Sequence, residues 1–467
     1  MSIPKRIHQL WIGPKPAPIT LMNTWREKHP NFEYIFWNET EFVKRNMTFL
    51  CQDKINAIEE INGKADIMRW EILYKYGGVF LDADSICIEP IDEELMMRPC
   101  FAGWEHEQLR KGLIATGTMG FPKEHPLIKD AIDWIYNNPI TRKDGFMAWQ
   151  SVGPGLLTRM CMTGKYPELC IYPSYTFLPI HSTGAEYTGH GKVYAFQAWG
   201  STTQGYDRMN LMRLPRQFTP PTKRVSILIS SYNTNPTYIE ECLHSIKQQE
   251  GWFHIELVWI NDGSDEEHTR HLKLSLDQFI QTTRFTSLIY DKHDSNRGIG
   301  FSLHKGVEMC SNEIICKMDS DDIMVPMRIQ TQLVFMEAHP DVHICGGQVT
   351  MFTESLRQPT ETTHHPSITL TQYCRSKSHW IANHPTLCYR KSSVLAVGSY
   401  DPTKSKMTED FDLTLKMLKK YKYIHNFGEP LVYYRIHSEQ VTNNGGSEGR
   451  QYWQHERSRL IDHLLLN

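Results

Sequence analysis

The residues of this chain whose types and spacing can do chemistry are two short acidic strings, Asp82-Ala83-Asp84 and Asp319-Ser320-Asp321-Asp322. Side chains alternate along an extended backbone, so Asp82 and Asp84 point the same way with only an alanine between them. By the same rule Asp319 and Asp321 share one side and Asp322 turns to the other. Carboxylates crowded on one face repel, and a divalent cation relieves the repulsion while accepting further oxygen ligands. Asp66 and Arg69 lie three apart on a helix face and can reach the same ligand as the first string. A D-x-D arises about once by chance in a chain of this length. The neighbouring elements therefore decide what these aspartates are for.

Those elements read as strands and helices in alternation. Ala65 to Tyr76 carries Ile67, Trp70, Leu73 and Tyr74 at helical spacing, and Gly77-Gly78 supplies the positive-φ residue that ends a helix. Val79-Phe80-Leu81 then forms a short buried strand that delivers Asp82. Upstream, an opening strand lies within Ile3 to Gly13, Met22 to His29 is a helix, and Phe32 to Asn38 a second strand. Farther on, Val225 to Ile229 is a strand, Ser230 to Asn233 its loop, and Pro236 to Gln249 a helix with Ile239, Cys242, Leu243 and Ile246 on one face. Ile255 to Ile260 is the next strand, Asn261 to Asp265 its loop, and Ile314 to Met318 the strand that ends in Asp319. This order predicts an α/β fold with mostly parallel, Rossmann-like sheets, which place ligands at the carboxyl ends of their strands. Ser151-Val152-Gly153-Pro154-Gly155 reads as a tight loop, and Thr408-Glu409-Asp410 opens a helix where acidic residues are ordinary caps.

Composition bounds the function classes. The 467 residues are 40% hydrophobic and 22% charged with a formal charge of −3, which excludes bulk nucleic-acid binding. No run approaches the roughly 18 apolar residues of a membrane span, and the opening residues lack a signal-peptide core, so a cytoplasmic protein is expected. The 11 cysteines are scattered without C-x-x-C pairs, against a disulfide framework or structural zinc. A Pro-rich polar stretch from Leu214 to Arg224 divides the chain into expected domains at 1–218 and 224–467.

The string from Lys64 to Asp84, with its D-x-x-R, glycine pair and D-x-D, resembles the sugar-binding region of family 32 glycosyltransferases, and Ile3 to Gly13 is similar to that family's opening strand. The resemblance implies that Trp11 stacks on the nucleotide, that Asp66, Arg69 and Asp82 bind the donor, and that Asp82 and Asp84 hold a metal. The Gly153-Pro154 pair resembles a family motif near the donor or acceptor. Val193 to Ser201 resembles the closing segment H-x-W-x-x-S-W, but Gln197 stands where the histidine belongs and no tryptophan follows Ser201. An amide is a poorer metal ligand than imidazole, and His181 or His190 are the nearby substitutes.

The stretch from Arg224 to Thr442 resembles family 2 glycosyltransferases of the GT-A fold, with its motifs in the family's order. That resemblance gives Tyr232, Asn233 and Asp262 to the uracil and ribose and Arg297 to the donor; Asp319 is both donor ligand and, with Asp321, a metal ligand. Asp410 then takes the acceptor proton, Glu409 positions the acceptor, and His437 of Tyr434-Arg435-Ile436-His437 completes the metal shell. The expectation is two tandem GT-A domains with one Mn²⁺ or Mg²⁺ each, moving sugars from UDP- or GDP-sugars to a glycan, glycolipid or glycoprotein acceptor. The first would retain and the second invert anomeric configuration; in the first half no general base is identifiable, as retention by a leaving diphosphate allows. The alternative is one active family 2-like transferase with a non-catalytic carbohydrate- or nucleotide-binding first half. A nucleotide-sugar pyrophosphorylase lacks its Gly-rich triphosphate loop here. Tyr172, Tyr175, Phe177 and Trp380 are candidates for stacking on sugar rings.

Overall fold

A computed structural model describes residues 2–140, 147–200, 202, 206–212, 222–353, 359–404, 408–438, 440 and 446–466. The chain separates into two compact units, Met1–Tyr187 with Lys192–Thr219, and Thr188–Gly191 with Pro220–Asn467. Of the Pro-rich stretch from Leu214 to Arg224 that suggested the boundary, 214–221 lie outside the described residues.

The first unit is built on six strands, β1 (Arg6–Leu10), β2 (Glu33–Trp37), β3 (Gly78–Asp82), β5 (Cys100–Trp104), β6 (Ile114–Phe121) and β7 (Leu169–Tyr172), in the order β2-β1-β3-β6-β5-β7. β4 (Ser85–Cys87) pairs separately and antiparallel with β8 (Ala195–Gln197), in a register that sets Gln197 opposite Ser85. β1 is parallel to β2 on one side and to β3 on the other, so the chain order reverses between β1 and β3. Open α/β sheets bind ligands in the crevice at such a reversal. The pairing of Leu10 with Asp82 puts Trp11 and Asp82 at that point.

The helix before β3 runs Ile61–Tyr76, one turn longer at its start than the apolar spacing suggests. Asp66, Arg69 and Glu71 are buried along with Ile67, Trp70, Ile72 and Leu73, so this helix is enclosed rather than amphipathic. Gly77 ends it at φ +60°, and a Cβ there would lie 2.5 Å from the Lys123 backbone nitrogen. Only glycine fits. His8, fully buried, accepts from the Trp37 indole at 2.9 Å and donates to the Gly77 carbonyl at 2.8 Å, tying β1 and β2 to the helix stop. Residues 151–155 are not a simple loop: helices Ala148–Val152 and Pro154–Met162 meet at Gly153.

The second unit carries β9 (Arg224–Ser231), β10 (His254–Asn261), β11 (Thr286–Lys292), β12 (Ile314–Asp319), β13 (Ile323–Met324), β14 (Ile344–Phe352), β15 (Ile368–Thr369), β16 (Cys388–Arg390) and β17 (Tyr423–Arg435). They form one sheet in the order β11-β10-β9-β12-β16-β14-β17-β13, with β15 against β17. The run β11-β10-β9-β12 is parallel and antiparallel pairing begins at β16. Chain order reverses between β9 and β12, where Ser230 pairs with Asp319. Helix Pro236–Lys247 buries Ile239, Cys242, Leu243 and Ile246, the face its sequence marks. A final helix, Gly446–Leu466, buries Arg457, Leu460 and Ile461. Among the described residues no helix is long and apolar enough to cross a membrane.

Candidate functional site

In the first unit the strand tip gathers the expected charges into one network. Arg69 donates to Asp82 Oδ1 at 2.6 Å and to the Thr116 carbonyl at 2.5 Å, and its guanidinium stands 3.4 Å from Asp66 Oδ1. Gly153, where the two helices meet, passes so close to Asp66 that a Cβ would lie 2.1 Å from Oδ2. Burial pushes the Asp66 carboxyl up to about 6, against an ordinary 3.8, even with Arg69 beside it. Trp11 follows β1 and packs against the Leu21, Phe196 and Met209 cluster while its indole donates to the Lys15 carbonyl at 2.7 Å.

The place between Asp82 and Asp84, where a cation was expected, is bridged by Gln197. Its amide nitrogen donates to Asp84 Oδ1 at 2.5 Å and to Asp82 Oδ2 at 3.3 Å. Asp84 Oδ2 accepts from the Gly200 backbone at 2.7 Å. All four carboxylate oxygens therefore already accept a hydrogen bond, and burial with the Asp82 charge raises the Asp84 carboxyl. As placed, Gln197 turns its amide N–H, a donor, to the carboxylates, and a cation between Asp82 and Asp84 would need the amide oxygen turned in instead. Neither histidine substitutes: His181 packs against Trp199 at 5.4 Å and bonds Thr183, while His190 packs on Phe253 at 4.7 Å in the second unit.

In the second unit a cleft of about 1250 Å³ opens at the reversal between β9 and β12, and Tyr232, Arg297, Asp319, Asp321, Asp410 and His437 all line it. Tyr232 is half exposed. Asn233, at φ +46°, accepts from the Asp265 backbone at 3.0 Å and donates its own N–H to Ser264 Oγ at 2.9 Å. Asp262 is buried, and its oxygens accept from the backbones of Arg297 at 2.8 Å and Gly298 at 2.9 Å and from His293. Its carboxylate thus fastens the turn that presents the Arg297 side chain, whose guanidinium rests 4.0 Å over Phe301.

Asp319 and Asp321 differ in their partners. The fully buried Lys317 pairs with Asp319 through Oδ1, and Asp319 lines the cleft. Burial lowers Lys317 to about 8 while Asp322, Asp321, Glu409 and Asp410 hold it up, so it is a cation at neutral pH beneath the acidic floor. Asp321 Oδ2 lies 3.0 Å from His437 Nε2, both facing the cleft. β12 ends at Asp319, and after the turn at Ser320 and Asp321 the buried Asp322 accepts from the Arg435 backbone at 2.9 Å and has its carboxyl raised by burial. Among the described residues no three His, Cys, Asp or Glu side chains could hold a metal by themselves. Asp321 and His437 do fit as two ligands of a cation whose other ligands are substrate oxygens and water.

Glu409 and Asp410 open helix Glu409–Tyr421 on the same cleft. Burial and the Asp410 charge raise the Glu409 carboxyl. Asp410 Oδ1 accepts from the Phe411 backbone at 2.6 Å, and both its oxygens face Arg457, at 3.1 and 3.3 Å. Lys317 and Arg457 escaped the sequence reading. Lys317 shares the Asp319 side of β12 and was legible by alternation, whereas Arg457 arrives from the last helix with no motif to mark it.

Two family models match parts of the chain. Residues 226–397 match the family described as Glycosyl transferase family 2, and residues 18–102 match the glycosyltransferase sugar-binding region containing a DXD motif. The amylovoran biosynthesis glycosyltransferase AmsE of Erwinia amylovora is 29% identical over 47% of this chain and 79% of its own length. The UDP-Gal:alpha-D-GlcNAc-diphosphoundecaprenol beta-1,3-galactosyltransferase of Escherichia coli is 27% identical over 48% of this chain and 78% of that protein. Inositol phosphoceramide mannosyltransferase 3 of Schizosaccharomyces pombe is 30% identical over 28% of this chain and 36% of that protein. The chain is a glycosyltransferase.

Two outcomes follow from the site geometry. A carboxyl whose folded value is raised stabilises the fold at low pH and loses that contribution as pH climbs from the unfolded value of 3.8 through the folded value of about 6, by up to about 3 kcal/mol. Thermal midpoints of Asp66→Asn and the unchanged protein should therefore diverge in the variant's favour between about pH 4 and pH 6; parallel curves would mean that Asp66 ionises freely. Mn²⁺ titration in the presence of UDP or GDP, followed by electron paramagnetic resonance, should count one ion per chain. The count should fall to none in the double variant Asp321→Ala, His437→Ala and rise to two in Gln197→His, and two ions in the unchanged protein would contradict the assignment.

Proposed function

We propose that the second unit is an inverting transferase that moves a sugar from a UDP- or GDP-sugar to a hydroxyl of a glycan-type acceptor. The observation that carries this reading is that Arg297, the Asp321 and His437 pair, and the Glu409 and Asp410 pair all face one cleft at the sheet's switch point. The two family matches and the galactosyltransferase relative support it. Tyr232 offers an exposed ring for the base, and the Arg297 guanidinium offers charge to the diphosphate. Asp321 and His437 would hold Mn²⁺ or Mg²⁺, which when bound neutralises charge on a departing nucleoside diphosphate.

Asp410 acts as general base. The acceptor oxygen attacks the anomeric carbon, the bond from that carbon to the diphosphate oxygen breaks with its electron pair leaving on the diphosphate, and the hydroxyl proton passes to Asp410. Attack from the side opposite the leaving group inverts the anomeric configuration. Arg457 holds Asp410 by both oxygens, so the carboxylate is aimed before the acceptor arrives. Glu409 beside it positions the acceptor.

The first unit, in this reading, carries a second and retaining transfer site at Trp11, Asp66, Arg69 and Asp82. A second reading, a carbohydrate-binding module without transfer, is favoured by one observation: Gln197 satisfies the carboxylates that would otherwise grip a cation. Activity of the full chain separates the two. Asp410→Asn should lower transfer by the second unit about 10²- to 10⁴-fold with nucleotide affinity unchanged. A residual product of different linkage, abolished by Asp82→Ala, marks a second transferase, and its absence marks the module. If Asp82→Ala, Asp321→Ala and Asp410→Ala all consumed UDP- and GDP-sugars at the unchanged rate, the reading would be lost.

A further inference from the structure

We propose that Trp380 is the floor of an acceptor subsite in the second unit, and that it takes a neutral pyranose ring by its apolar face. The proposal rests on the transferase reading above. Trp380 is 44% exposed on the cleft, while Ile381 and Ala382 after it are buried. Its indole is not mobile surface. Ser378 Oγ donates to the Trp380 carbonyl at 2.8 Å and accepts its backbone N–H at 3.1 Å. The Arg457 guanidinium lies 4.5 Å from the ring centroid, and Trp453 meets it edge-on at 5.6 Å and 65°. An indole fixed from behind and left open in front is a preformed stacking surface, which costs little entropy when a ligand lands.

Arg457 joins this surface to the base. Its side chain is 1% exposed, Nη1 donates to the His379 carbonyl at 2.5 Å, and Nη2 reaches both oxygens of Asp410. Trp380 and Asp410 also line one narrow recess with His384, Phe411 and Arg457. A ring stacked on the indole therefore presents its edge hydroxyls to the carboxylate.

Charge chooses the ligand class. The groups facing this end of the cleft are Asp410, already held by Arg457, Glu409, whose raised carboxyl can donate as well as accept, and His384, which burial holds neutral far below its ordinary value. The exposed cation, Arg297, lines the donor part of the cleft. The groups at the Asp410 end welcome hydroxyl donors and offer no exposed cation to a phosphate or carboxylate. Glucosides, galactosides and N-acetylglucosaminides have the required combination of C–H face and hydroxyl edge.

The test is steady-state transfer by the full chain from its sugar nucleotide to octyl β-glucoside, octyl β-galactoside and octyl N-acetyl-β-glucosaminide, with donor hydrolysis in water measured alongside. Trp380→Ala should raise the acceptor KM about tenfold or more with the donor KM and donor hydrolysis unchanged. Trp380→Phe should restore most of the acceptor affinity. An unaltered acceptor KM in Trp380→Ala, equal loss of donor hydrolysis in both variants, or no transfer to any glycoside by a chain that hydrolyses donor overturns the subsite. Absence of donor hydrolysis in the unchanged chain instead sinks the transferase reading beneath it.

Discussion

The second unit depends on placing cations where no water can screen them. Five carboxyl groups, those of Asp319, Asp321, Asp322, Glu409 and Asp410, converge near one buried ammonium, Lys317, and left to themselves they would repel one another in a low-dielectric floor. The structure answers with fixed partners: Lys317 for Asp319, a backbone N–H of Arg435 for Asp322, and Arg457 for Asp410. Buried ion pairs of this kind add little net stability, because desolvation offsets their attraction, but removing one member leaves an uncompensated charge. Their effect is to hold geometry. Asp321 is paired instead with His437, and the two face the cleft together.

The first unit poses the same problem and solves it with a neutral donor. Asp82 and Asp84 stand at a strand tip beside a switch point, as Asp319 and Asp321 do. There the partner that arrives from far along the chain is Gln197 rather than a histidine. An amide N–H satisfies carboxylate lone pairs without bringing charge, so the Asp66, Asp82, Asp84 and Arg69 cluster keeps a surplus of acidic groups, and it is relieved by holding Asp66 and Asp84 toward the protonated form. The geometry is alike and the electrostatics differ: Lys317 and Arg457 stand among the carboxylates of the second site, whereas Arg69 and a neutral amide serve the first.

The elements that carry the aspartates were readable because they obey local rules. Alternation along a strand puts Lys317 and Asp319 on one side, while the strand ends at Asp319 and a turn leads through Asp321 to the buried Asp322, and glycine at Gly77 marked a helix stop that tolerates no Cβ. Helix Pro236–Lys247 buried the face its spacing named. What escaped depends on pairings distant in sequence. The antiparallel register of β4 with β8, which brings Gln197 to Asp84, follows from a 113-residue separation that no periodicity encodes. Arg457 is one basic residue on a helix with others, and nothing in its neighbours announces a guanidinium under Trp380 and Asp410. The glycine-proline stretch misled in another way: Gly153 is there to let two helices close on Asp66, a need visible only once both are packed.

That Arg457 is an arginine rather than a lysine bears on how the cleft divides its labour. Nη2 reaches both Asp410 oxygens while Nη1 takes the His379 carbonyl and the guanidinium carbon lies 4.5 Å from the Trp380 ring centroid; an ammonium, one compact and strongly hydrated centre, does not divide itself among such partners. One side chain thereby fixes two groups of opposite character, a charged base and an apolar platform, at a set separation. Arg297 and the Asp321 and His437 pair line the same cleft as Glu409, Asp410 and the Trp380 indole. On the transferase reading proposed above, a diphosphate and a neutral sugar entering this cleft are sorted by charge before any specific hydroxyl is read.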